Sequence, residues 1–89
     1  MTAEATIHIS SAVVSVLPEW RDRILNALAD LPDLEIHQND ARKIVIVMEG
    51  ESSGEIGSRL TTIALMDGVF SANLVFEQIE PIDDPGAKP

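Results

Sequence analysis

The 89-residue sequence contains no cysteine and only three aromatic side chains, Trp20, Phe70 and Phe76. Without cysteine there are no disulfides, no thiolate chemistry, no thioether haem attachment and no cysteine-based zinc or iron–sulfur sites. With so few aromatics, the core must be assembled mainly from Ile, Leu, Val and Ala. Cations are also scarce. Six Lys and Arg face fifteen Asp and Glu, a formal net charge of -9. Phosphate backbones are neutralised by clustered Lys and Arg, so nucleic acid is excluded as a natural partner, and anionic membrane surfaces are disfavoured for the same reason. A basic partner is attracted instead.

Long hydrophobic runs are missing too. No stretch approaches the ~20 apolar residues of a membrane span. The first twenty residues carry no Lys or Arg, and Glu4, His8, Ser10, Ser11 and Ser15 interrupt their apolar positions. A secretory signal needs a positive start and a continuous apolar stretch. The expectation is a cytoplasmic protein with no direct membrane insertion.

What is present is periodicity. "IHISSAVVSVL", 7–17, is rich in β-branched residues and reads as a strand ended by Pro18. Proline suits the first helical position, and Glu19 and Asp22 complement a helix N-terminus. Trp20, Ile24, Ala27, Leu28 and Leu31 then mark one helical face, stopped by Pro32. "LEIHQ", 34–38, and "KIVIVMEG", 43–50, read as a hairpin around the turn "NDA". Ser52 and Glu55 have capping-box spacing ahead of a second helix with Ile56, Leu60, Ile63 and Ala64 on its apolar face. Gly57 weakens that helix by roughly 1 kcal/mol relative to Ala. Gly68 suits its C-terminal cap, and a last strand follows over 69–79.

The order strand–helix–strand–strand–helix–strand is a doubled βαβ unit, and its halves match weakly at an offset of 35 residues, Ile9 onto Ile44 and Leu25 onto Leu60. Right-handed crossovers then give an α+β, ferredoxin-like split βαβ sandwich. It has one four-stranded antiparallel sheet, order 4-1-3-2, with two helices on one face. A single domain over 7–80 is expected between a flexible segment, 1–6, and a mobile acidic, proline-containing tail, 81–89. Alternation along the strands assigns Ala12, Val14, Val16, Leu34, Ile36, Ile44, Ile46, Met48, Phe70, Ala72, Leu74 and Phe76 to the helix side. The open face is expected to hold Ile9, Ser11, Val13, Ser15, Glu35, His37, Val45, Val47, Glu49, Ser71, Asn73, Val75 and Glu77.

This fold hosts many activities, so the site must decide. Metal carriers of this shape use paired cysteines. RNA binders use aromatic residues on the open face and a basic surface. Acyl-phosphate hydrolases need a cationic anion cradle. None of these is present. His8 and His37 read as structural or solvent-facing. No G-x-S-x-G elbow occurs, and "SSGEIG" lacks the lysine and spacing of a nucleotide loop. Trp20 reads as core. Neither enzymatic activity nor a cofactor or metal is expected.

Four stretches, "SSAVVSVLPE", "LPDLEIH", "KIVIVMEGES" and "DGVFSANLVFEQIE", in this order and spacing over residues 8–80, together resemble the NapD family. That family comprises cytoplasmic assembly chaperones of periplasmic nitrate reductase. The resemblance implies a ferredoxin-like fold and binding of the twin-arginine signal peptide of the catalytic subunit, NapA, which withholds the precursor from export until its cofactors are loaded. Guanidinium pairs well with carboxylate, and an apolar segment can lie on a sheet or groove. The peptide-binding residues expected on this basis are Ser11, Val13, Val45, Val47, Glu49, Ser71, Asn73, Val75 and Glu77. Addition of the peptide to an edge strand is a rival geometry. A small-molecule-sensing regulatory domain dimerising through its sheet, or a purely structural subunit, are the alternatives.

Overall fold

The computed structural model describes residues 6–81. Its elements are β1 (Thr6–Val16), α1 (Arg21–Ala29), β2 (Leu34–Asn39), β3 (Lys43–Gly50), α2 (Ser53–Ala64) and β4 (Val69–Pro81), with a 3-10 turn over Pro18–Trp20 leading into α1. The sheet is antiparallel with order β2-β3-β1-β4. This is the expected βαββαβ sandwich. Thr6 and Pro81, expected in the flanking segments, are the paired ends of β1 and β4. The remainder of those flanks, 1–5 and 82–89, lies outside the described residues.

Both helices cover one face. Even-numbered β1 residues point at them, so Ala12, Val14 and Val16 are buried, as are Ile44, Ile46 and Met48 of β3. Ile24 and Leu28 of α1 and Ile56 and Ile63 of α2 complete this core, with Leu34, Ile36, Leu60 and Ala72 packed half-buried at its margin. Ala64, placed on the apolar face by periodicity, is exposed. Ser10 is also fully buried, and its hydroxyl finds no partner among the described atoms. It is a weak point in an otherwise apolar layer.

The helix ends are held by specific bonds. Ser52 Oγ accepts from the Glu55 amide at 3.1 Å, which caps α2. The reciprocal half of the capping box does not form. Glu55 instead pairs with Arg59 one turn on, at 3.4 Å, and Arg59 Nη1 donates to the Glu49 carbonyl at 2.8 Å, tying α2 to the end of β3. At the other pole Arg21 Nε donates to the Asp40 carbonyl at 2.8 Å, and its Nη2 donates to Asn39 Oδ1, fastening α1 to the β2–β3 turn. Asp40 Oδ1 accepts from the amides of both Arg42 and Lys43, at 2.8 Å each, and these bonds hold its carboxyl below its ordinary range.

Gly68 sits at φ +88° between α2 and β4, and a Cβ there would lie 2.3 Å from the Trp20 ring. Backbone conformation and ring packing both require glycine. Trp20 thus caps the loop before β4, with the Arg23 guanidinium over its ring, 5.0 Å from the centroid.

β4 departs from simple alternation. Its thirteen residues pair with the eleven of β1, so two are surplus. The register slips between Ser11 and Ala12, whose partners are Phe76 and Leu74, and between Ser15 and Val16, whose partners are Ser71 and Val69. Val75 and Phe70 are therefore bulged out of the ladder. Phe70 is 80% exposed rather than in the core. Beyond the Val75 bulge the two faces exchange. Phe76, opposite Ser11, lies on the open face, and Glu77, opposite Ser10, lies on the helix side. Leu74 keeps its expected side but is 42% exposed.

The displaced Glu77 has a defined place. Ser53 Oγ, in the first turn of α2, donates to Glu77 Oε2 at 2.9 Å, and His8 Nδ1 lies 3.2 Å from the same oxygen. The hydrogen bond to His8, followed by that from Ser53, holds the Glu77 carboxyl below its ordinary value of 4.5. A group whose folded-state pKa is depressed adds stability above the unfolded value and loses it as pH falls through the folded one.

Two predictions follow from these contacts. Gly68→Ala should destabilise the fold, whereas Gly57→Ala, where an added methyl meets nothing within 4 Å, should stabilise it by about 0.5–1 kcal/mol. Thermal melts of both variants check the opposite signs. Glu77→Gln should lower the urea midpoint near neutral pH, with the gap to the parent protein closing as pH is brought below 4.5. A gap independent of pH would mean that the charge on Glu77 is not what stabilises this corner.

Candidate functional site

The face of the sheet away from α1 and α2 has no helix over it. Cross-strand pairs build it in rows. Glu49, Ile9 and Gln78 form the row toward the start of β1. Glu35, Val47, Ser11 and Phe76 form the next, then Gln38, Val45, Val13 and Asn73, and finally Lys43, Ser15 and Ser71. Val13, Val45 and Val47 are half-buried by their neighbours alone, and Phe76 is 55% exposed. An apolar strip thus crosses the middle rows, flanked by polar and charged side chains at both ends.

Two shallow depressions indent this face. One, of about 530 Å3, lies at the β2–β3 turn and is lined by Val13, Val45, His37, Gln38, Asp40 and Lys43. The other, of about 310 Å3, lies toward the opposite end and is lined by Asp33, Leu34, Glu35, Val47 and Glu49. The second has an apolar floor and three carboxylates around it. β2 carries its own irregularity, because His37 is skipped in pairing between Ile36 and Gln38. Its Nε2 sits 3.1 Å from Glu35 Oε1 at the rim.

Of the residues expected to bind a peptide, Ser11, Val13, Val45, Val47, Glu49, Ser71 and Asn73 share this face. Val75 is the bulged residue, 60% exposed and outside the regular rows. Glu77 is not on this face, for the register reason given above. Phe76, Gln78 and Asp33 belong to the surface and were missed. No sequence signal marks Phe76, because the bulge that turns it to this face arises only from the pairing of β4 with β1.

The cluster of His8, Ser53 and Glu77 brings together the residue types of a hydrolytic triad but not its geometry. Ser53 Oγ approaches His8 Nδ1 at 3.3 Å, and Glu77 approaches the same nitrogen. A relay requires serine on one ring nitrogen and carboxylate on the other. The Ser53 proton is instead directed at the carboxylate, so the cluster clasps α2 to β1 and β4. Among the described residues no group of three or more His, Asp or Glu is placed to hold a metal ion, and no helix is long and apolar enough to cross a membrane.

Comparison with known proteins adds the lineage. Residues 7–81 match the family model described as NapD protein. Chaperone NapD of Paracoccus pantotrophus is 49% identical over 78 residues, spanning 88% of this chain and 70% of that one. In shape, the chain is similar to the solution structure of the E. coli Tat proofreading chaperone protein NapD, with a TM-score of 0.76 over 85% of this chain and 82% of that one at 24% identity. A transcriptional regulatory protein of the AsnC family from Pyrococcus furiosus shares the fold more loosely, with a TM-score of 0.60 and 22% identity over 86% of this chain and half of that one. A family match across nearly the whole described region, joined to close identity with a curated relative, places the sequence: the chain belongs to the NapD family of chaperones.

Proposed function

We propose that this protein serves the maturation of periplasmic nitrate reductase by binding the twin-arginine signal peptide of the catalytic subunit, NapA, in the cytoplasm and holding the precursor back until its cofactors are loaded. The observation that carries the reading is the uncovered sheet face of a NapD-family chain, apolar in its middle rows and acidic at one end. A twin-arginine peptide offers the complementary pair, two guanidinium groups followed by an apolar segment. The carboxylates of Asp33, Glu35 and Glu49 stand where guanidinium groups can take paired hydrogen bonds. Val13, Val45, Val47 and Phe76 supply apolar surface, and Ser11, Ser71 and Asn73 supply polar contacts. The net charge of -9 favours approach of a basic segment.

The likeness of fold to an AsnC-family regulator supports a second reading, a ligand-responsive domain that dimerises through its sheet. The two readings differ in what the open face meets. A regulator predicts an oligomer whose state responds to a small molecule and no preference for arginine pairs.

Calorimetric titration with the nitrate reductase signal peptide and with its Lys-Lys variant separates them. The peptide reading expects binding of the native peptide and weaker binding of the variant, because lysine lacks the planar fork of arginine. Absence of binding by the native peptide would sink it. Phe76→Ala should weaken binding about tenfold, as expected when an aromatic anchor is truncated, with little change in thermal stability. Phe70→Ala, at a still more exposed ring bulged out of the ladder, should leave affinity unchanged. Equal effects of the two would move the site away from the sheet.

A further inference from the structure

The charges on the open face are sorted along the strands. Among the described residues that point to this face, the carboxylates are Glu35, Glu49 and Glu80, all in the rows toward the start of β1, with Asp33 on the wall of the depression beside them. The one ammonium, Lys43, stands opposite Ser15 at the other end. Asp40 is also there, its carboxyl held ionised by the Arg42 and Lys43 amides, so it offsets Lys43 and leaves this end near neutral against the acidic one. Gln78 donates to Glu80, which leaves the acidic end negative. His37 stands between the two ends, 3.1 Å from Glu35 Oε1 and on the wall of the depression that Lys43 lines.

We propose that this asymmetry fixes the direction of a bound basic–apolar peptide. Its arginine end lies against Glu35, Glu49 and Glu80, and its apolar end runs over Val47, Val45 and Val13 toward Lys43. The inference rests on the peptide-binding reading of this face and adds a polarity to it. From Glu49 to Lys43 along β3 is six residues, about 20 Å at strand rise. That is the length of a helix of about thirteen residues, close to the apolar segment of a signal peptide. A peptide helical over this stretch would also set its positive N-terminal dipole at the carboxylates and its negative C-terminal end at Lys43. Guanidinium charge and helix dipole therefore favour the same direction. In the reversed direction the arginines would leave the carboxylates for an end where Lys43 and Asp40 offset each other, and the C-terminal carbonyls would meet three carboxylates.

Paramagnetic broadening reads the direction. The probe is a synthetic peptide with an Arg-Arg pair followed by a Leu/Ala segment, carrying a nitroxide at one end or the other, bound to the 15N-labelled full chain. A label beside the arginines should broaden the amides of Ile9, Glu49 and Gln78. A label at the apolar end should broaden those of Lys43, Ser15 and Ser71. The doubly exchanged variant Glu49→Lys, Lys43→Glu should weaken binding about tenfold or invert the pattern, since both residues are exposed and their exchange trades attraction for repulsion. The reverse broadening pattern, equal broadening of both ends, or an exchanged variant with unaltered affinity and pattern would overturn the polarity while leaving the peptide site in place. Broadening confined to α1, α2 or the outer edge of β4 would overturn the site itself.

Discussion

Each helix links two parallel strands that flank a third, β1 to β2 and β3 to β4, and the right-handed rule for such crossovers puts both helices on the same side of one sheet. Everything else depends on that constraint. Two helices are enough to bury Ala12, Val14, Val16, Ile44, Ile46 and Met48, and none remains to cover the opposite face. The valines of that face are shielded only by their neighbours. A small sheet with one dry face and one wet one is stable because the dry face alone carries the core, which leaves the composition of the wet face free to serve a partner.

The ends of the sheet are tied by polar bonds rather than by burial. Arg21 fixes the β2–β3 turn, Arg59 fixes the end of β3, and Ser53 with His8 and Glu77 fixes the start of α2 against β1 and β4. These ties lie at the edges of the open face. They hold its rows in place without using the side chains that point outward, so substitutions on the face and substitutions in the ties have separable consequences, one for binding and the other for stability.

Much of this was legible from residues alone. Alternation of period two placed β1 and β3 correctly residue by residue, because both are central strands whose buried sides, Ala12 to Val16 and Ile44 to Met48, are apolar at every second position. The helices were readable from Ile24, Leu28, Ile56 and Ile63. β4 was legible only from Ser71 to Leu74, because the first bulge had already thrown Phe70 out of the ladder. A bulge is created by pairing between strands, and nothing in "NLVFEQ" announces that Val75 will be skipped. Phe76 and Glu77 therefore exchanged faces, and an aromatic ring assigned to the core became part of the exposed surface. His37 is skipped in the same way in β2. The acidic depression escaped notice because Asp33 lies before β2 and joins Glu35 and Glu49 only in space. The peptide itself is not legible from physics. Apolar, acidic and hydrogen-bonding groups on one face describe a class of ligand, and the peptide proposed for it rests on the NapD resemblance.

The central claim is that the helix-free face is where a partner binds. Methyl NMR of the selectively labelled protein tests it most directly, because valines line that face and isoleucines and leucines fill the core behind it. On addition of the signal peptide, the account predicts large shifts at the methyls of Val13, Val45 and Val47, with those of Ile24, Leu28 and Ile63 nearly still. Shifts concentrated on the helix side, with the three valines unmoved, would contradict it.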